Sequence, residues 1–148
     1  MTKKTGFDAY DIAVEIAREV RPIVEKVKRF DKDLAEQTRS ACQSIGLNVA
    51  EGDRRTGGDR THLFKIALGS AGETLAALHQ AEAWGYVREE ETTKALELLD
   101  REKAMLWSNA PEGRNGWTRT VWLTVDSRPK GKAIQATSLG DPVERSDG

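Results

Sequence analysis

Residues 34–52 read LAEQTRSACQSIGLNVAEG. Leu34, Ala41, Ile45 and Val49 follow one another at steps of seven, four and four. A helix turns once in about 3.6 residues, so these four share one side of it. Upstream, Asp31 or Asp33 can serve as N-cap, because a short side-chain oxygen can accept from the open backbone N–H groups of a first turn. Downstream, Gly52 suits the left-handed residue that ends many helices. The stretch therefore predicts an amphipathic helix that ends near Ala50.

The same period extends in both directions. Ile12, Ile16, Val20, Ile23, Val27 and Phe30 mark a first helix over residues 8–29, with charged residues between them. Pro22 lies inside it, and proline removes one helical hydrogen bond. A kink over residues 18–22 is expected, or two helices meeting there. After the polar turn at residues 53–58, a third helix starts at Gly58 or Asp59 and ends near Gly85, with Leu63, Phe64, Ala67, Ala71, Leu75 and Leu78 as its stripe. Ala67, Gly69, Ser70, Ala71, Gly72, Ala76 and Ala77 crowd this helix and predict a surface on which another helix packs closely. A fourth helix starts within residues 88–91, where acidic residues complement the helix dipole. It carries Ala95, Leu98, Leu99, Met105 and Leu106 and stops at Pro111.

Four amphipathic helices with short connections bury their stripes most economically against one another. The fold class is all-α, an antiparallel up-down four-helix bundle over residues 1–110. Residues 111–148 are rich in Gly, Pro, Ser, Thr and charge, and are read as a flexible polar tail, mostly disordered. Its one β-type run is at 117–125, a single strand without a partner.

The sequence holds 23 basic and 24 acidic residues, and mean hydropathy is -0.60. No stretch approaches the roughly 18 apolar residues of a membrane span, no secretory signal is legible at the N-terminus, and Cys42 is the single cysteine. Cytoplasm is the expected compartment. Near-neutral charge argues against tight non-specific binding of nucleic acid by one copy. A local concentration does exist: Arg54, Arg55, Arg60 and Lys65, with Arg39 upstream. It is either a solvated turn or a phosphate-contacting patch, and a ring of copies would repeat it.

No catalytic constellation is legible. His62 and His79 are the only histidines, and His79-Gln80-Ala81-Glu82 reverses the Glu-x-x-His order of di-metal bundles and occurs once. Cys42 reads as a buried small hydrophobe. Gly69-Ser70-Ala71-Gly72 has neither the spacing nor the context of a nucleophile elbow, and the glycines at 52–58 lack the Gly-Lys-Ser/Thr ending of a phosphate loop. The chain reads as non-enzymatic, with no cofactor and no metal. Asn48 and Glu51, polar residues within a helix, read as hydrogen-bonding groups with a structural role.

Over residues 7–107 the sequence resembles the four helix bundle protein family. The segments that carry the likeness are Asn48-Val49-Ala50-Glu51-Gly52, Ala67-Leu68-Gly69-Ser70 and Trp84-Gly85-Tyr86, with Gln37, Arg39, Ser44 and Glu73 around them. That family includes proteins encoded in intervening sequences of large-subunit ribosomal RNA genes. It also includes the accessory variability determinant of diversity-generating retroelements. The resemblance implies an antiparallel bundle that assembles as a homopentameric ring. Among retroelement members it implies a reverse transcriptase and RNA or DNA as partners. It carries over no catalytic residue. Gln37, Ser44, Asn48, Glu51, Gly52, Gly69, Ser70 and Glu73 are family-defining positions, and Arg39, Arg54, Arg55, Arg60 and Lys65 are the candidate nucleic-acid contacts.

Overall fold

A computed structural model describes residues 8–109 of the chain. The expected tail at 111–148, with its β-type run at 117–125, lies outside the described residues. Four helices follow in order: α1 (Asp8–Val27), α2 (Lys32–Asp53), α3 (Gly57–Ala83) and α4 (Glu89–Asn109). Each packs against its neighbours in sequence, and α4 closes the square against α1. With connections this short, successive helices run antiparallel. The result is the up-down four-helix bundle that the hydrophobic stripes predict.

Helix α1 is one helix, with Pro22 inside it and exposed, so the alternative of two helices meeting there is not what forms. It ends at Val27, two residues before the predicted end. Phe30 and Asp31 both donate their backbone N–H to the Val27 carbonyl, at 2.9 and 2.8 Å. This turn carries Phe30 out of the predicted stripe and onto the surface. Asp31 is the N-cap of α2, and its carboxylate accepts the Leu34 N–H at 2.8 Å.

Helix α2 runs three residues beyond Ala50, and Arg54 is its C-cap. Gly52 is therefore not a helix stop but an interior, buried residue. A Cβ there would lie 2.7 Å from the Phe64 ring of α3, closer than carbon atoms approach. The absent side chain lets Phe64 seat fully against the α2 backbone. The turn into α3 is tight, with Thr56 as N-cap and Gly57 at φ +60°, a left-handed conformation that glycine adopts without strain.

The end of α3 falls where the sequence places it. Gly85 has φ +73°, its N–H donates to the Glu82 carbonyl, and the Tyr86 N–H reaches back to Ala81, each at 2.9 Å. That pair of bonds is a Schellman motif, which satisfies the last open carbonyls of a helix. Helix α4 begins with Glu91 accepting the Arg88 N–H at 2.8 Å, the return half of a capping box.

The interior holds two apolar clusters. The larger gathers Ile12, Ile16, Val20, Ile23 and Val27 of α1 with Ile45, Leu75, Leu78 and Leu99. The smaller gathers Ala9, Val49, Phe64, Ala67, Leu68 and Leu106 near the α2–α3 turn. Glu102, fully buried, sits on α4 one turn from both Leu99 and Leu106. Of the small residues on α3, Ala67, Ser70 and Ala71 are buried, while Gly69 and Ala76 face solvent. Close packing thus uses one side of the small-residue stretch.

Candidate interface on the second and third helices

The sequence picked out two groups of residues, and the fold places them differently. Arg54, Arg55, Arg60 and Lys65 all flank the α2–α3 turn. Arg39 stands fifteen residues before Arg54, roughly 22 Å away along the helix axis at about 1.5 Å per residue. It does not approach the others.

Three of the five cations are engaged locally. Arg39 binds Glu36 at 2.8 Å, and Arg55 donates Nε and Nη2 to one Glu51 oxygen at 2.9 and 2.7 Å. Both bonds hold the guanidinium pKa above its ordinary value. Arg60 lies 3.5 Å from Asp53 and stacks its guanidinium over the Phe64 ring, 4.8 Å from the centroid. Arg54 and Lys65 are exposed and make no ion pair among the described residues.

Three of the residues that carry the resemblance meet across α2 and α3. Asn48 donates to the Ser44 carbonyl at 2.8 Å and to the Ser44 hydroxyl at 3.0 Å. The Ser70 hydroxyl of α3 donates to the same Ser44 oxygen at 2.8 Å. These three residues form a polar strap between α2 and α3, at the edge of the bundle rather than in its core. Glu51 continues the row through its bond to Arg55. Gln37, Gly69 and Glu73 lie exposed on the same two helices. Among them stand two large apolar side chains open to solvent, Leu47 at 71% and Ile66 at 39% exposure. Leu47 is two residues from both Ile45 and Val49, so it points away from the core that they fill.

Cys42 is buried, and burial pushes its thiol pKa up to about 11, which leaves it protonated and unreactive near neutral pH. His62 is exposed and His79 half-buried. Among the described residues, no group of three or more His, Cys, Asp or Glu side chains converges to hold a metal ion, and no helix is long and apolar enough to cross a membrane.

Two features escape the periodicity argument. Glu102 occupies a core position, and its carboxylate has no hydrogen-bond partner among the described residues. Burial raises its pKa to about 8. The spacing from Leu99 and to Leu106 marks the position as internal, and the residue type hid it. The second feature is an aromatic stack at the far end of the bundle. Tyr86 lies parallel to Phe30 at 5.4 Å and faces Trp84 at 6.4 Å.

The 23S rRNA-intervening sequence protein family matches residues 6–108. The chain belongs to that family. As a 23S rRNA-intervening sequence protein it shares its fold with a solved structure from Bacteroides thetaiotaomicron VPI-5482, described as a protein with unknown function from the S23 ribosomal protein family. The two are 20% identical, with a TM-score of 0.64, over 70% of this chain and 99% of the other. No curated protein matches the chain. The matched region ends one residue short of the α4 terminus at Asn109, so the family and the bundle are coextensive.

Proposed function

We propose that this 23S rRNA-intervening sequence protein acts as a non-enzymatic, ring-forming scaffold or adaptor, and that the α2–α3 face is where copies of the chain meet. The observation that carries this reading is the position of Leu47. A large aliphatic side chain stands 71% exposed in the middle of a regular helix, on a face with Ile66 and a row of short polar residues. Apolar side chains framed by small polar ones form the usual centre and rim of a protein–protein contact. The number five rests on the family resemblance alone, and gives an assembly of five 16.4 kDa chains.

The absolute mass in solution, by light scattering, tests the reading. The parent chain is expected as a ring, and Leu47→Glu as a smaller species with unchanged helicity. A monomeric parent, or a Leu47→Glu variant of parental mass, overturns it.

The second reading is an accessory factor that binds RNA or DNA, alone or with a reverse transcriptase, through the basic turn. Arg54 and Lys65 support it, since neither is neutralised by a carboxylate among the described residues. Around a ring the turn would recur in every subunit and concentrate positive charge. Binding that weakens with salt and is lost in Arg54→Ala plus Arg55→Ala is the expected result. Salt-dependent binding that survives the double substitution would rule the turn out.

A further inference from the structure

The end of the bundle opposite the basic turn carries a different surface. There the α1–α2 turn supplies Phe30, and the Schellman turn after α3 supplies Trp84 and Tyr86. The three rings are stacked, with Tyr86 between the other two in contact order. The outer members are largely uncovered, Phe30 at 61% and Trp84 at 69% exposure. Aromatic residues in tight turns normally tuck against the core. Here the two with the largest open surface lie on the outside of a parallel stack.

A shallow depression on α1 ends at Arg29, the residue before Phe30 in sequence. Arg18, Arg21, Lys26 and Arg29 line it with Pro22, and Glu25 is its one acidic member. Arg18 is paired with Glu15, and Lys26 with Glu91. Arg21 and Arg29 are exposed and have no ion-pair partner among the described residues. The depression runs from Arg18 to Arg29, roughly 16 Å along the helix at about 1.5 Å per residue. Glu89 and Glu90 begin α4 at the same end of the bundle, so a polyanion would follow α1 and avoid α4.

Open parallel rings, with the unpaired Arg29 next to Phe30 in sequence and the unpaired Arg21 two helical turns before it, match the two demands of an unpaired nucleotide strand. Its bases need flat apolar faces, and its phosphates need fixed cations. A duplex hides its base faces and would gain only the second. We propose that the Phe30–Tyr86–Trp84 stack and the α1 depression that ends at Arg29 form a binding site for a short single-stranded nucleic acid, with bases on the exposed rings and phosphates along Arg21 and Arg29. The site depends neither on the assembly proposed above nor on the basic turn.

The test uses the full chain and anisotropy of a short fluorescein-labelled oligouridylate, titrated at several salt concentrations. The comparison probes are an oligothymidylate and a duplex of equal length. Single strands are expected to bind more tightly than the duplex, with affinity falling as salt rises. Trp84→Leu and Phe30→Leu keep apolar bulk but remove the flat face, and each is expected to weaken binding by roughly fivefold or more. Arg29→Ala should lower both affinity and salt slope. Arg54→Ala plus Arg55→Ala, at the other end, should leave single-strand binding as it was, which separates this site from the second reading above. Preference for oligouridylate assigns the site to RNA through its 2′-hydroxyls, and equal binding assigns it to either strand. A photo-crosslinking uridine analogue should attach within residues 28–32 or 84–88, a readout that holds even if a substituted chain fails to fold. No single-strand binding at low salt overturns the proposal. So do equal affinity for the duplex, parental affinity in folded Trp84→Leu and Phe30→Leu, and crosslinks confined elsewhere. A proline-rich peptide that binds more tightly than the oligonucleotide and is lost in Trp84→Leu would overturn it in favour of a protein ligand.

Discussion

The Phe64 ring occupies the space that a side chain on Gly52 would need, with 2.7 Å between ring carbon and a built Cβ. Phe64 is itself completely buried, so the ring has nowhere easy to go. Gly52→Ala is therefore expected to destabilise the bundle by about 1–3 kcal/mol, the usual cost of overpacking, despite the better helix propensity of alanine. Gly69 is the control, because it is also mid-helix and a Cβ there meets nothing within 4 Å. Gly69→Ala should stabilise by roughly 0.5–1 kcal/mol. Chemical denaturation of the two variants reads both signs, and a stabilised Gly52→Ala would contradict the packing described.

Glu102 makes the fold sensitive to pH in an unusual direction. Its ordinary pKa is 4.5, and burial raises it to about 8 in the folded chain. Between these values the folded state holds a proton that the unfolded state has released. Stability is then highest below the unfolded value and falls as pH rises towards 8, with a slope approaching 1.4 kcal/mol per pH unit. Glu102→Gln should flatten the midpoint of urea unfolding across pH 5–8. A parent midpoint that is already flat over that range would show that the carboxyl is not desolvated. Glu91 works the other way. The hydrogen bond from Lys26 holds its pKa below the usual carboxylate value, so its contribution is lost only at more acid pH.

Leu75 is buried in the larger cluster, on the inner face of α3. Leu75→Asp would place a charge there without a partner, and the variant is expected to be unfolded at room temperature. Circular dichroism decides this, and a parental melting curve would mean that α3 is rotated from the orientation described.

Residues 1–110 should melt as cooperatively as the whole chain, since all four helices and, among the described residues, both apolar clusters lie within them. A broad, gradual transition in the shortened chain would show that later residues complete the core.

The stripes of Ile12 to Val27, of Ile45 and Val49, and of Phe64 to Leu78 were legible because burial in a bundle is periodic. Boundaries were less so. Gly52 looked like a helix stop because glycine often is one, and only the approach of Phe64, twelve residues on, shows why glycine stands there. Phe30 matched the spacing of α1, but spacing cannot show that the chain has already turned at Val27. Glu102 was invisible to a search for apolar residues at an apolar position. Of the candidate contacts, Arg54 and Lys65 remain without carboxylate partners among the described residues. The engagement of Arg39, Arg55 and Arg60 could have been suspected from the acids nearby at Glu36, Glu51 and Asp53. The Ser44–Asn48–Ser70 strap joins residues from two separate motifs, which no reading of either motif by itself would bring together.

Each helix touches its neighbours in sequence, and among the described residues the α1–α4 contact is the most extensive one between helices that are not neighbours in sequence. Most of the native contacts are therefore local, the property that goes with fast folding. It also sets an order during synthesis. Helices α1, α2 and α3 can dock one after another as they leave the ribosome, and α4 arrives last, bringing Glu91 to Lys26 and Lys94 to Glu19. Until then the inner sides of α1 and α3 stand open to water. The interval before α4 emerges is when a nascent chain of this protein is most prone to associate wrongly.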